Sequence, residues 1–183
     1  MKRAAKTPDV HSEMQVEVSR SRLGHWTPPD RQIVAWARAA VGSGGHSSSL
    51  AVRIVGTATS RRLNATYRGK DAPTNVLAFP VSGSALALPH TDSRRRGGRG
   101  RRARVEARAL GDVVLAAPVV AREARDQHKL LRAHWAHLIV HGCLHLLGFD
   151  HQDESQARRM ERRERRVLAA FGIADPYCVE RHT

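Results

Sequence analysis

Three histidines near the C-terminal end of the chain, His141, His145 and His151, stand in the run HGCLHLLGFDH. Their type and spacing suit metal chemistry. His141 and His145 are four residues apart, so on a helix both imidazoles lie on one face, one turn from each other. Gly148 can end that helix, because glycine takes the left-handed C-cap conformation without a Cβ penalty. Phe149 and Asp150 then bring His151 back toward the pair. Three neutral imidazoles converging on one point suit a zinc ion that keeps a fourth position open for water, an arrangement that is catalytic rather than structural. No thiolate or carboxylate dilutes the charge of such an ion, and its water is acidified to a pKa of about 7.

The same helix offers rivals. It is predicted over residues 131–147 and carries His134, His137, His141 and His145, within an arc of roughly 80°. His137 with His141 is therefore a second possible pair, but it lies mid-helix with no third ligand nearby in sequence. His134 and His137 read as groups that support a ligand or hydrogen-bond within the core. Cys143 lies two residues from both His141 and His145, about 200° around the axis from each, and is not a ligand candidate. Asp150 suits orienting a ligand histidine or the turn. The spacing, with Gly148 in place, also resembles the H-E-x-x-H-x-x-G-x-x-H signature of metzincin proteases. Gly142 stands where that chemistry needs a glutamate base. Asp112, in LGDVV, is the best remaining carboxylate for moving protons, and it can equally hydrogen-bond a histidine or cap a loop.

The elements that must position these groups follow from periodicity. Met14 to Val18 alternates as a strand. Pro28-Pro29-Asp30 opens a helix through about Val41, with Ile33, Val34, Trp36, Ala37 and Val41 inward. Leu50 to Val55 reads as a strand. Thr57 or Ser60 caps a helix carrying Leu63, Asn64 and Tyr67. Thr74 to Phe79 is a strand stopped by Pro80. Leu110 to Ala116 is a strand, Pro118 to His128 a helix, and residues 153–171 a final amphipathic helix capped near Asp153. Strands and helices interleave without repeats, which predicts an α/β or α+β domain around a small mixed sheet.

Composition sets the outer bounds. A chain of 183 residues with 41% hydrophobic content supports one domain with a real core. No apolar run of about 18 residues is present to span a membrane, and the N-terminal residues lack the apolar stretch of a secretory signal. Two cysteines, Cys143 and Cys178, make no disulfide framework and fit a reducing cytoplasm. The 31 Lys and Arg against 17 Asp and Glu give a formal charge of +14, which suits a polyanionic partner, nucleic acid foremost. Three Phe, two Tyr and three Trp argue against an aromatic base-stacking platform. Residues 82–108 break the pattern with an arginine-rich stretch, read as an exposed loop or hairpin tip. Its arginines could track a phosphate backbone and supply affinity without sequence choice. The arginines of the final helix, interleaved with Glu161 and Glu164, read as a salt-bridged solvent face.

Taken together, these stretches resemble the YbeY endoribonucleases, bacterial rRNA maturation factors. HGCLHLLGFDH is similar to that family's H-G-x-L-H-L-x-G-[YF]-D-H signature. LNATYRGKDAPTNVLAFP (63–80) is similar to its segment of an Asn, an aromatic-Arg pair and a P-T-[DN]-V-L-[SA]-F-P strand. LGDVVLA (110–116), AHWAH (133–137) and DPY (175–177) extend the likeness. The resemblance implies a single domain, here over 13–178 with a tail over 179–183; the chain departs from the family pattern in its basic insertion at about 82–108, whose Arg-rich part (91–104) is longer and more basic, and in a variable extension over 1–12. The resemblance also implies a zinc-dependent, single-strand-specific endoribonuclease acting in rRNA 3′-end maturation and ribosome quality control, with rRNA and ribosomal subunits as partners. One zinc per chain falls to His141, His145 and His151. Arg68, which composition alone reads as a surface arginine beside Tyr67, inherits the role of the family's required arginine. The alternatives are a metalloprotease-like zinc hydrolase and a non-catalytic assembly factor with structural zinc.

Overall fold

The computed structural model describes residues 14–21, 24–43, 48–81, 108–150 and 153–178. In chain order these form β1 (Gln15–Arg20), α1 (Asp30–Val41), β2 (Ser48–Val55), α2 (Thr57–Arg68), β3 (Val76–Pro80), β4 (Arg108–Ala116), α3 (Ala117–Asp126), α4 (Leu131–Leu146) and α5 (Glu154–Ala169). The four strands make one sheet in the order β1-β2-β4-β3. β1 runs parallel to β2 and β2 parallel to β4, while β3 is antiparallel to β4. The sheet is thus the small mixed one that the element pattern predicts.

Side-chain periodicity explains how the layers form. In α1, Ile33, Trp36, Ala37, Ala40 and Val41 are buried, the i, i+3, i+4, i+7, i+8 stripe of an amphipathic helix. β4 is covered on both faces and reads as a near-continuous apolar run. Leu50, Val52 and Ile54 of β2 and Val113 and Leu115 of β4 face the main core with α1, α4 and α5. Val55, Leu77 and Val114 face the other way, against Leu63 of α2 and Phe79. α4 is the central helix. From His134 to Leu146 every residue of it is buried except His137, His141 and His145. A helix apolar nearly all round belongs inside a domain, and past its first turn the histidines are the stripe at which this helix reaches the surface.

Two sequence expectations change here. The helix at 57–68 is capped by neither Thr57 nor Ser60. Gly56 is its N-cap and makes no side-chain bond. Ser60 lies inside α2, where its hydroxyl donates to the Thr74 carbonyl (2.7 Å) and accepts from the Thr74 amide (3.0 Å). Asn64 donates to the Ala72 carbonyl at 2.7 Å. These two side chains fasten the turn before β3 to α2. β3 itself starts at Val76 rather than Thr74, because both backbone groups of Thr74 are taken by the Ser60 hydroxyl and not by β4. By contrast, Asp153 caps α5 as expected, accepting from the Gln156 amide at 2.8 Å. The N-terminal extension, the basic stretch at 82–107 and the tail at 179–183 lie outside the described residues.

Candidate metal centre

α4 ends as its glycine predicts. Gly148 has φ +82°, its amide bonds the His145 carbonyl (3.0 Å), and the Phe149 amide reaches back to Leu144 (3.1 Å). That pair of bonds is the Schellman motif. His151 lies just beyond, outside the described residues.

Upstream of this turn the two helix histidines face each other, with Nε2 of His145 3.1 Å from Nε2 of His141. The other nitrogen of His141 is already engaged: Nδ1 lies 2.8 Å from Oε1 of Glu164 on α5. Glu164 is fully buried. Burial alone would raise its carboxyl pKa, but His137, His141 and Tyr177 around it prevail and hold it down at about 2. An ionised carboxylate only accepts, so Nδ1 of His141 must carry the proton. In the neutral ring Nε2 then keeps its lone pair, and that lone pair faces His145. At 3.1 Å the His145 Nε2–H can donate to it, and with His145 in the Nδ1–H tautomer the two Nε2 atoms together fit a cation.

His137 completes the group. Its Nε2 stands 3.4 Å from Oε2 of Glu164, close enough for an ion pair but without hydrogen-bond alignment. Together His137, His141 and Glu164 form a cluster that could hold a metal ion. The sequence offers no third ligand for the mid-helix pair, and the structure supplies one from another helix. That carboxylate occupies Nδ1 of His141, on the opposite edge of the ring from the nitrogen that faces His145. His134 is a core group, as expected. Its Nε2 bonds Glu123 at 3.0 Å, and burial lowers its pKa despite that partner. Cys143 is fully buried, with its thiol pushed up to about 12 by desolvation, so it behaves as core and not as a ligand.

Gly142 explains itself. A Cβ there would sit 2.6 Å from Cγ1 of Val113 and 3.3 Å from Cγ2 of Val76. Position 142 is where α4 lies directly on the sheet, so the protease-type base has no room. We expect Gly142→Glu to cost about 3 kcal/mol or more, since it combines overpacking with a buried unpaired charge, and to confer no peptidase activity. Thermal melting and a casein assay check both.

Asp112 is a correction. Val113 points at α4, so strand alternation sends Asp112 to the opposite face of the sheet. There its carboxylate accepts from Nε of Arg53 at 2.9 Å. It can neither support a histidine of α4 nor move a proton at the cluster.

Arg68 is the last residue of α2 and is exposed. It makes no hydrogen bond or ion pair among the described residues. Its position is nevertheless fixed. Gly69 closes the helix at φ +67°, Ser60 and Asn64 hold the following turn, and the neighbouring Tyr67 ring stands edge-on to Phe79 with centroids 4.9 Å apart. The structure thus unites His141 and His145 and adds Glu164, but it joins Arg68 to them by no direct bond.

A family model described as Endoribonuclease YbeY matches residues 25–172. The chain belongs to the YbeY endoribonuclease family. A relative named Endoribonuclease YbeY, from Alkalilimnicola ehrlichii, is 49% identical over 155 residues, which is 84% of this chain and 84% of the relative. The solution structure of TM1509 from Thermotoga maritima is 17% identical and covers 90% of this chain and 100% of its own, with a TM-score of 0.52. It shares the fold. Among the described residues no helix is long and apolar enough to cross a membrane.

Proposed function

We propose that this chain is a zinc-dependent endoribonuclease that cuts single-stranded RNA and acts in rRNA 3′-end maturation and ribosome quality control. In this reading His141, His145 and His151 hold one zinc, and Arg68 acts on the scissile phosphate. The observation that carries it is the 3.1 Å approach of two Nε2 atoms, one of them fixed as a lone-pair donor by the carboxylate behind it. When bound, zinc on three neutral imidazoles supplies Lewis acidity toward water or a phosphoryl oxygen. The residues do the rest. His141 and His145 bring their Nε2 atoms together from adjacent turns of a buried helix, so two of the three ligands are already neighbours; binding the ion requires His145 in the tautomer that bares Nε2. Arg68 offers a planar, permanently charged fork that can grip phosphate through two parallel hydrogen bonds. Family membership supports RNA as the substrate, and the net charge of +14 supports a polyanion. The same reading places the chain in the cytoplasm, with ribosomal subunits as partners.

Chelation and metal add-back on single-stranded RNA and on casein test this reading. RNA cleavage lost on chelation and restored by zinc supports it. Casein cleavage would indicate the protease alternative, and neither activity would indicate an assembly factor.

The basic stretch gives a second expectation. Residues 94–104 hold seven arginines. Deleting them should weaken RNA binding at low salt and flatten the slope of log affinity against log salt, by roughly 0.7 for each phosphate no longer neutralised. Zinc content should not change. An unaltered slope would make the stretch a passive insertion.

A further inference from the structure

The C-terminal DPY segment packs against the histidine cluster, and the chemistry proposed above gives it no role. Asp175 is tied to α5 by Arg165, whose Nε donates to Oδ2 at 2.9 Å. The other oxygen of Asp175 takes the Tyr177 amide at 2.9 Å. The Arg165 guanidinium lies over the Tyr177 ring, 5.0 Å from its centroid. Held from both sides, the Tyr177 hydroxyl donates to Oε2 of Glu164, while Oε1 of the same carboxylate binds Nδ1 of His141. The Tyr177 ring also stands edge-on to His137, with centroids 5.5 Å apart. A chain of direct contacts therefore runs from the C-terminal segment through one buried carboxylate to a helix histidine.

We propose that Glu164 and Tyr177 are positioning residues that set zinc affinity, which makes the C-terminal clasp a working part of the metal centre. This rests on His141 and His145 being zinc ligands. Glu164 holds the His141 ring in the tautomer that bares Nε2 and makes that nitrogen more basic, as a carboxylate behind a ligand histidine does. Tyr177 engages the second oxygen, so the carboxylate cannot rotate away from His141. Glu164 acts from behind the ring and does not itself touch the ion.

The test is zinc affinity of the full-length chain, measured by competition with a chromophoric chelator, with the visible spectrum of the cobalt(II)-loaded chain as a second readout. Glu164→Gln keeps the shape but removes the charge, and should weaken zinc about 10- to 100-fold. Tyr177→Phe, at a partly exposed position and safe for folding, should weaken it by a smaller factor and shift the cobalt bands without abolishing them. Melting of the zinc-free Tyr177→Phe chain should stay near wild type, which a merely structural role would not allow alongside weaker zinc. Wild-type affinity in both variants, with His141→Ala and His145→Ala free of zinc, would overturn the positioning role and leave the ligand reading standing. Zinc retained by His141→Ala or by His145→Ala would overturn the ligand reading itself. Complete loss of zinc in Glu164→Gln, equal to that in His145→Ala, would make Glu164 a ligand and also overturn the proposal.

Discussion

Arg68→Ala should cleave single-stranded RNA about 10²- to 10³-fold more slowly than wild type, with zinc content and melting temperature nearly unchanged. A phosphodiester gains charge as it becomes pentacoordinate. A guanidinium placed on it binds that state more tightly than the ground state, and so accelerates the reaction rather than merely anchoring substrate. Arg68→Lys should recover little, because lysine keeps the charge but not the planar fork. The structural reason to expect an intact fold is that Arg68 is exposed at the end of α2, while the helix is held by Ser60 and Asn64. Single-turnover kinetics are the appropriate measurement, since they separate chemistry from RNA binding. A wild-type single-turnover rate with weakened affinity would make Arg68 a docking residue. An unfolded variant would make it structural.

The second large effect concerns the histidines. His141→Ala, His145→Ala and His151→Ala should each purify without zinc and cleave RNA at background. Zinc binds only the folded chain in this account, so it should stabilise wild type by about 2.7 kcal/mol at a concentration a hundredfold above its dissociation constant. The three variants should lose that zinc-dependent rise in melting temperature. His137→Ala should keep most of it, because His137 reaches Glu164 (3.4 Å) from the side away from His145. Loss of zinc in His137→Ala with retention in His145→Ala would move the metal to the mid-helix cluster.

What the sequence displays and what it conceals divide along physical lines. The facing of His141 and His145 is legible because helical spacing alone fixes it. The turn at Gly148 is legible because a left-handed C-cap leaves few other choices of residue. The sheet can be read from alternation, and the α1 stripe from its i, i+3, i+4 pattern. Glu164 cannot be placed by local rules. It comes from a helix 23 residues beyond His141, and in ERRERR it looks like an ordinary solvent-face partner for arginine. One signal does exist. Met160, Glu164, Val167 and Leu168 are the buried positions of α5, and their 4-3-1 spacing marks a charged residue on an otherwise apolar stripe. A carboxylate there loses its hydration at a cost of several kcal/mol unless partners replace the water. Its position alone therefore calls for cationic or donor partners across the interface. Asp112 misleads for the converse reason. Its motif suggests chemistry, but the apolar Val113 beside it belongs to the core face of β4, so Asp112 must occupy the other. At α2 the hydroxyls of Thr57 and Ser60 suggest side-chain caps, whereas the chain uses Gly56 and keeps Ser60 for a tertiary bond.

X-ray absorption at the zinc edge of the purified wild-type chain is the most direct test of the central claim. One zinc per chain is expected, with a low-coordinate shell of nitrogen and oxygen only that carries the multiple-scattering pattern of three imidazoles. A shell of two imidazoles with a carboxylate would place the ion at His137, His141 and Glu164, and a sulfur in the shell would contradict the assignment outright.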